Sequence, residues 1–150
     1  MDFRIEPATA ELFADRGTWR YPAPFNFYDD DGLAPNNPER FYSVSVADGA
    51  AVGFFYFEER GSSIFFGLGL RPDLTGQGLG QAFVRAGVDF ARALFGRKRI
   101  VLDVAGFNER AIRAYERAGF RRIGSHIRHF EGWGDLTFVD MELPCDSEAD

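Results

Sequence analysis

Apolar and polar residues alternate from Phe3 to Pro7, and apolar residues then recur at Ala8, Leu12 and Phe13 with Thr9 in a capping position. A short strand leading into a helix that ends near Arg16 is predicted. From Trp19 to Pro38 the periodicity disappears. The aromatics Trp19, Tyr21, Phe25, Phe27 and Tyr28 stand among Pro22, Pro24, Pro35 and Pro38, so the stretch is irregular, and is either a cover for the core or the wall of a substrate pocket. The acids Asp29, Asp30 and Asp31 read as a turn. An antiparallel meander follows: Phe41 to Val46, a turn at Ala47-Asp48-Gly49-Ala50, Ala51 to Phe57, a turn at Glu59-Arg60-Gly61, and an apolar strand ending at Leu70. Leu79, Phe83, Ala86, Phe90 and Leu94 recur at helical spacing up to a stop near Gly96. Ile100 to Val104 is a buried strand, reached through a helix and therefore parallel to its predecessor. Asn108 caps a helix whose face carries Ala111, Ile112 and Tyr115 and which stops at Gly119. Arg121 to Phe130 and Leu136 to Leu143 complete the pattern as strands around a Gly132-Trp133-Gly134 turn.

The 150 residues, 45% hydrophobic and 27% charged, suffice for one core and one domain, assigned to residues 1–145, with an acidic tail at 146–150 expected to be disordered. Asp2, Arg4 and Glu6 break any N-terminal apolar run, and no stretch approaches eighteen apolar residues. A soluble cytoplasmic protein is expected. The single cysteine, Cys145, has no internal disulfide partner and fits that compartment. A net charge of −6 argues against nucleic acid or anionic membrane as a partner. No metal site is expected, since His126 and His129 have no further histidine and no cysteine pair to join.

The chemistry concentrates where the strand ending at Leu70 meets the next helix. Pro72 and Asp73 end the strand, and Gly76, Gly78 and Gly80 alternate into the helix. Glycines at alternate positions clear one side of the turn of Cβ atoms, while the first helical turn leaves N–H donors unpaired and adds its dipole. Phosphate is the natural ligand. A Walker A loop would need a lysine, and Lys98, the only one in the chain, is far away; a dinucleotide fingerprint counted from Gly76 would need glycine where Gln81 stands. On the Asn108 helix, seven residues span nearly two turns, so Asn108 and Tyr115 share one side and can face one ligand. A tyrosine packed in the core is the other reading.

The segment Thr75-Gly76-Gln77-Gly78-Leu79-Gly80 resembles the acyl-coenzyme A motif of the GNAT N-acetyltransferases, Arg/Gln-x-x-Gly-x-Gly/Ala, with Thr75 in place of its long polar first residue. NERAIRAYERAGF, Asn108 to Phe120, resembles the family's second motif, in the branch that includes ribosomal-protein N-terminal acetyltransferases. The likeness covers about Phe41 to Phe120. It implies an α/β GNAT fold, a mixed and mostly antiparallel sheet of six or seven strands with about four helices and a splayed cleft between the fourth and fifth strands.

By the same resemblance, acetyl-coenzyme A would be the co-substrate. Its pantetheine arm would lie against Leu68, Gly69 and Leu70, its pyrophosphate on Gly76, Gln77, Gly78, Leu79, Gly80 and Gln81, with Asn108 beside the arm. Tyr115 would protonate the departing thiolate. Reference values make that transfer uphill by about 2 kcal/mol. The general base stays open among Glu58, Glu59, Asp103 and His126. The acceptor would be a primary amine of a small molecule or a peptide. An α-amine near pKa 8 is favoured slightly over a lysine amine near 10.4, whose deprotonation at pH 7.5 costs about 4 kcal/mol. A homodimer is an open assembly. The alternatives are a non-catalytic acyl-coenzyme A sensor and a structural α/β domain that binds no nucleotide.

Overall fold

The alternation that marks the strands in the sequence also sorts their side chains between two faces of one sheet. The computed structural model describes residues 2–30, 32–47 and 49–145. Its strands are β1 (Arg4–Pro7), β2 (Phe41–Ser45), β3 (Ala51–Arg60), β4 (Ser63–Leu70), β5 (Arg99–Ala105), β6 (Arg121–Phe130) and β7 (Gly134–Leu143). They lie in the order β1-β2-β3-β4-β5-β7-β6. Every neighbouring pair is antiparallel except β4 with β5. The helices among the described residues are α1 (Ala10–Arg16), α2 (Gly80–Phe95) and α3 (Glu109–Arg117), three where the resemblance implied about four, with single 3-10 turns at Phe25–Tyr28, Pro38–Arg40 and Pro72–Leu74. Thr9 occupies the N-cap of α1, but its side chain makes no capping bond. Asp31, Asp48 and the acidic tail at 146–150, to which turns and disorder were assigned, lie outside the described residues. No helix among the described residues is long and apolar enough to cross a membrane.

Phe55, Phe57, Ile64, Phe66, Ile100, Leu102 and Met141 form the larger core with residues of α2 and α3. On the opposite face Phe41 packs with Leu12 and Phe13 of α1. The buried stripe of α2 is Phe83, Val84, Gly87, Val88 and Ala91, whereas Leu94, expected on that stripe, is half exposed. The rotation has a physical reason. Gly87 carries no hydrophobic signal in the sequence, yet it lets the helix backbone close onto the sheet: a Cβ there would overlap the Phe66 ring and reach within 3.1 Å of Phe55.

The pairing of β4 with β5 is short. It comprises Ser63 with Arg99, Ile64 with Ile100 and Phe65 with Val101, and then stops. β5 instead follows β7, pairing from Ile100 with Leu143 through Ala105 with Phe138, and the Gly106 N–H extends this by donating to the Thr137 carbonyl at 2.8 Å. Because β4 continues to Leu70 along β3, the two parallel strands part and leave a gap between them.

The tight seat of α2 predicts an outcome opposite to helix propensity. Alanine in place of a helical glycine normally stabilises by about 1 kcal/mol. Gly87→Ala should instead destabilise by on the order of 1–3 kcal/mol through overpacking, measured by urea unfolding. An increase in stability would contradict the close approach.

Candidate active site

The gap between β4 and β5 opens into a cleft of about 1140 Å3, lined among others by Leu68, Gly69 and Leu70 of β4, Gly76, Gly78, Gly80 and Gln81 of the glycine loop, and Asn108 and Tyr115. Nearly all of the residues singled out in the sequence for cofactor binding therefore meet in one place. Two are arranged differently. Gln77 turns its amide back to donate to the Asp73 carbonyl at 2.7 Å, and Leu79 takes the N-cap position of α2.

The loop has the conformation its glycines suggest. Gly76 and Gly78 sit at φ of 75° and 78°, in the left-handed region. A Cβ on Gly78 would meet nothing within 4 Å, so the space above it is open. Leu79 provides no side-chain cap, and the first-turn amides of α2 are available to an anion. A substitution at Gly78 would strain the backbone as well as fill the cradle. Gly80 has no such φ, and a Cβ there would lie 3.5 Å from that of Ala114.

Beyond Phe65 the β5 side of β4 offers main-chain groups to a ligand. One is already engaged: the Tyr21 hydroxyl donates to the Leu70 carbonyl at 2.7 Å. The segment Trp19 to Tyr28 borders the cleft and packs against other aromatic rings. Trp19, Tyr21, Phe25, Phe27 and Tyr28 all line the cleft. Phe27 also packs edge-on against Phe107, Phe130 and Trp133, at 6.1, 4.8 and 5.5 Å between ring centroids. Neither Tyr21 nor Tyr28 is distinguishable in the sequence from the other aromatics of that loop.

Asn108 caps α3, its Oδ1 accepting from the Ala111 N–H at 3.3 Å, while its Nδ2 donates to the Tyr28 hydroxyl, also at 3.3 Å. The amide thus anchors the aromatic loop to α3 at the cleft wall. Tyr115 is 8% exposed and packs against Phe120. Burial first, then the neighbouring Tyr28 and Asp103, push its phenol well above the ordinary range. It holds its proton firmly at neutral pH.

Of the four base candidates, the structure leaves two in the cleft. Glu58 is bonded to Arg40 and Arg60, each at 2.7 Å, and Glu59 to Lys98 at 3.0 Å; neither lines the cleft. Asp103 and His126 do. The His126 imidazole stands between two carboxylates, with Nδ1 3.0 Å from Asp140 and Nε2 3.5 Å from Asp103. Arg128 comes to 3.7 Å from Asp103. Burial raises the Asp103 carboxyl above its usual value, opposed by Arg128 and His126 and reinforced by Asp140. A raised carboxyl pKa makes a better base. Asp103, His126 and Asp140 bring their donor atoms within 4.8 Å of one another. A count of histidines and cysteines could not show this, because Asp140 reaches the group only through its register opposite Asp103. Of these contacts the hydrogen bond is that of Nδ1 with Asp140, while Nε2 faces Asp103 at a longer distance with a guanidinium alongside. His129 lies apart, pairing with Asp135 at 2.9 Å.

The comparisons with known proteins agree with this geometry. Over 132 residues the chain is 29% identical to N-alpha-acetyltransferase RimI of Mycobacterium tuberculosis, covering 85% of this chain and 77% of the relative. A mycothiol acetyltransferase of Propionibacterium freudenreichii is 43% identical over 60 residues, which is 40% of this chain and 19% of that protein. The chain's matches span 19% to 35% of the length of the mycothiol acetyltransferases it resembles. The fold matches that of spermidine N-acetyltransferase from Vibrio cholerae in complex with CoA and spermine, with a TM-score of 0.73 at 17% identity, over 99% of this chain and 98% of that one. The model of the acetyltransferase (GNAT) family matches residues 7–120, a span running from β1 through the glycine loop to the Gly119-Phe120 end of the second motif, and the chain belongs to that family.

Proposed function

We propose that the domain, residues 1–145, transfers an acetyl group from acetyl-coenzyme A to a primary amine of a small molecule or a peptide N-terminus, acting in the cytoplasm. The observation that carries this reading is the parting of β4 from β5 beside the open glycine loop. It leaves a main-chain edge for the pantetheine arm, ending at a cradle for the pyrophosphate. Leu68, Gly69 and Leu70 flank the thioester, where a free N–H would stabilise the oxyanion as the amine attacks. Asp103 takes the proton of the attacking amine, and His126, fixed by Asp140, stands next to it. As the new nitrogen–carbon bond forms and the carbon–sulfur bond breaks, Tyr115 gives its proton to the departing thiolate. Its raised pKa makes the donation harder than between free groups. Burial of the thiolate in the same cleft raises that pKa too and narrows the gap.

The sensor alternative is less well supported, because a binding-only cleft needs neither a half-buried carboxylate with a raised pKa nor a phenol near it. Among the relatives, one is a mycothiol acetyltransferase and another an N-alpha-acetyltransferase, and the structural neighbour is in complex with spermine. An amine acceptor is common ground. The net charge of −6 supports a partner other than nucleic acid or anionic membrane.

Thiol release from acetyl-coenzyme A in the presence of a panel of amines tests the reading. Turnover with at least one amine is expected. Asp103→Asn should lower kcat by about a hundredfold or more. The wild-type rate should fall on the acid side as Asp103 becomes protonated, at a pH above that of an ordinary carboxylate, and the variant should lose this limb. Binding of acetyl-coenzyme A without thiol release across the panel would favour the sensor.

Tyr115→Phe keeps the ring and its packing while deleting the proton donor, so kcat should drop at least about tenfold at nearly constant KM for the thioester. A folded variant with undiminished turnover, measured where chemistry limits the rate, would leave Tyr115 as packing alone.

A further inference from the structure

The glycine loop departs from its family pattern at Thr75, a short side chain where the pattern has a long polar Arg or Gln. Thr75 donates its hydroxyl to the Pro72 carbonyl at 2.7 Å, and Gln77 donates to Asp73. Both are folded back onto their own turn, so the 75–80 segment itself offers an anion main-chain donors and no charge.

We infer that Arg110, in the first turn of α3, supplies a cationic side-chain contact to the pyrophosphate of the acyl donor, where the loop's own first position has only the short Thr75. This rests on the acetyl-coenzyme A reading above. The Arg110 guanidinium lies over Gly76, so close that a Cβ on that glycine would come within 2.9 Å of Nη1. Arg110 lines the same cleft as Gly76, Gly78 and Gly80. Among the described residues it has no carboxylate partner, and its guanidinium rests 5.0 Å from the centroid of the Phe25 ring. Other arginines nearby are engaged differently: Arg71 is bonded to Asp73 at 2.6 Å, and Arg113 reaches Glu109 at 3.9 Å. An aromatic face orients a guanidinium without using its in-plane donors. Arg110 is thus positioned but uncommitted, and planar donors of this kind suit phosphate oxygens.

The placement also explains how an acidic chain of net charge −6 attracts a polyanion. Arg113 and Arg117, three and seven residues further along α3, line the same cleft and extend the positive strip away from Gly76. The cation at the glycine loop comes from the second motif helix rather than from the loop, which ties the two motifs together in binding as well as in chemistry.

The test compares wild type, Arg110→Gln and Arg110→Lys with three donors: acetyl-coenzyme A, acetyl-dephospho-coenzyme A, which keeps the pyrophosphate, and S-acetylpantetheine, which has no phosphate. Arg110→Gln should weaken the first two by the same factor, about tenfold to a hundredfold in Kd. Arg110→Lys should recover part of the loss. With S-acetylpantetheine, kcat/KM should be the same for wild type and Arg110→Gln. Equal Kd values of wild type and Arg110→Gln for acetyl-coenzyme A would overturn the inference, as would an equal loss on S-acetylpantetheine. A loss seen with acetyl-coenzyme A but not with its dephospho form would overturn it too, by placing Arg110 on the 3′-phosphate. Failure of wild type to bind acetyl-coenzyme A would instead sink the functional reading on which the inference rests. Arg110 is exposed, and unchanged melting temperatures would show that the variants fold.

Discussion

Hydrogen bonds that β4 does not make with β5 shape everything that follows in this molecule. Three residue pairs hold the parallel strands together, after which β5 continues its antiparallel ladder with β7 and β4 continues with β3. Unpaired main-chain groups inside a protein are costly unless water or a ligand satisfies them. The structure satisfies one of them through the Tyr21 hydroxyl at the Leu70 carbonyl. An extended ligand can satisfy others, adding itself to a sheet edge in the manner of an extra strand. The aromatic loop, the glycine turn and α3 all border the resulting cleft.

The electrostatics of the cleft divide along its length. At the glycine loop, main-chain donors and the arginines of α3 line the cleft. On the other side, Asp103 and His126, the latter bonded to Asp140, lie against aromatic rings, with His126 stacked on Phe138 at 5.7 Å. Burial raises the pKa of both Asp103 and Tyr115. For the carboxyl this increases basicity, and for the phenol it holds the proton more tightly. The same low-dielectric environment thus acts on the two groups in opposite senses, making the carboxylate a stronger base and the phenol a weaker acid.

Much of the scaffold was legible in the sequence because its signals are local. Alternation gave the meander, helical periodicity and Asn108 gave α3, and the glycines at 76, 78 and 80 gave the loop. The residues that these signals missed are those whose roles depend on tertiary placement. Gly87 carries no hydrophobic weight, so the buried stripe of α2 was misplaced around it. Asp140 reaches His126 and Asp103 through sheet register alone, and Arg110 reaches Gly76 only because α3 packs beside the start of α2. In Trp19 to Tyr28 the sequence offered rings without periodicity; which ring bonds to β4 and which to Asn108 is decided by a chain path that no repeat encodes.

The central claim is that β4 beyond Phe65 is a docking edge for the acyl donor. Backbone hydrogen exchange, followed with and without saturating acetyl-coenzyme A, reads this edge directly. Slower exchange is predicted within residues 66–70 and within the loop at 76–81, because ligand acceptors would cover amides that lack strand or helix partners. Protection confined to other parts of the sheet, with residues 66–70 exchanging as in the free protein, would contradict the account.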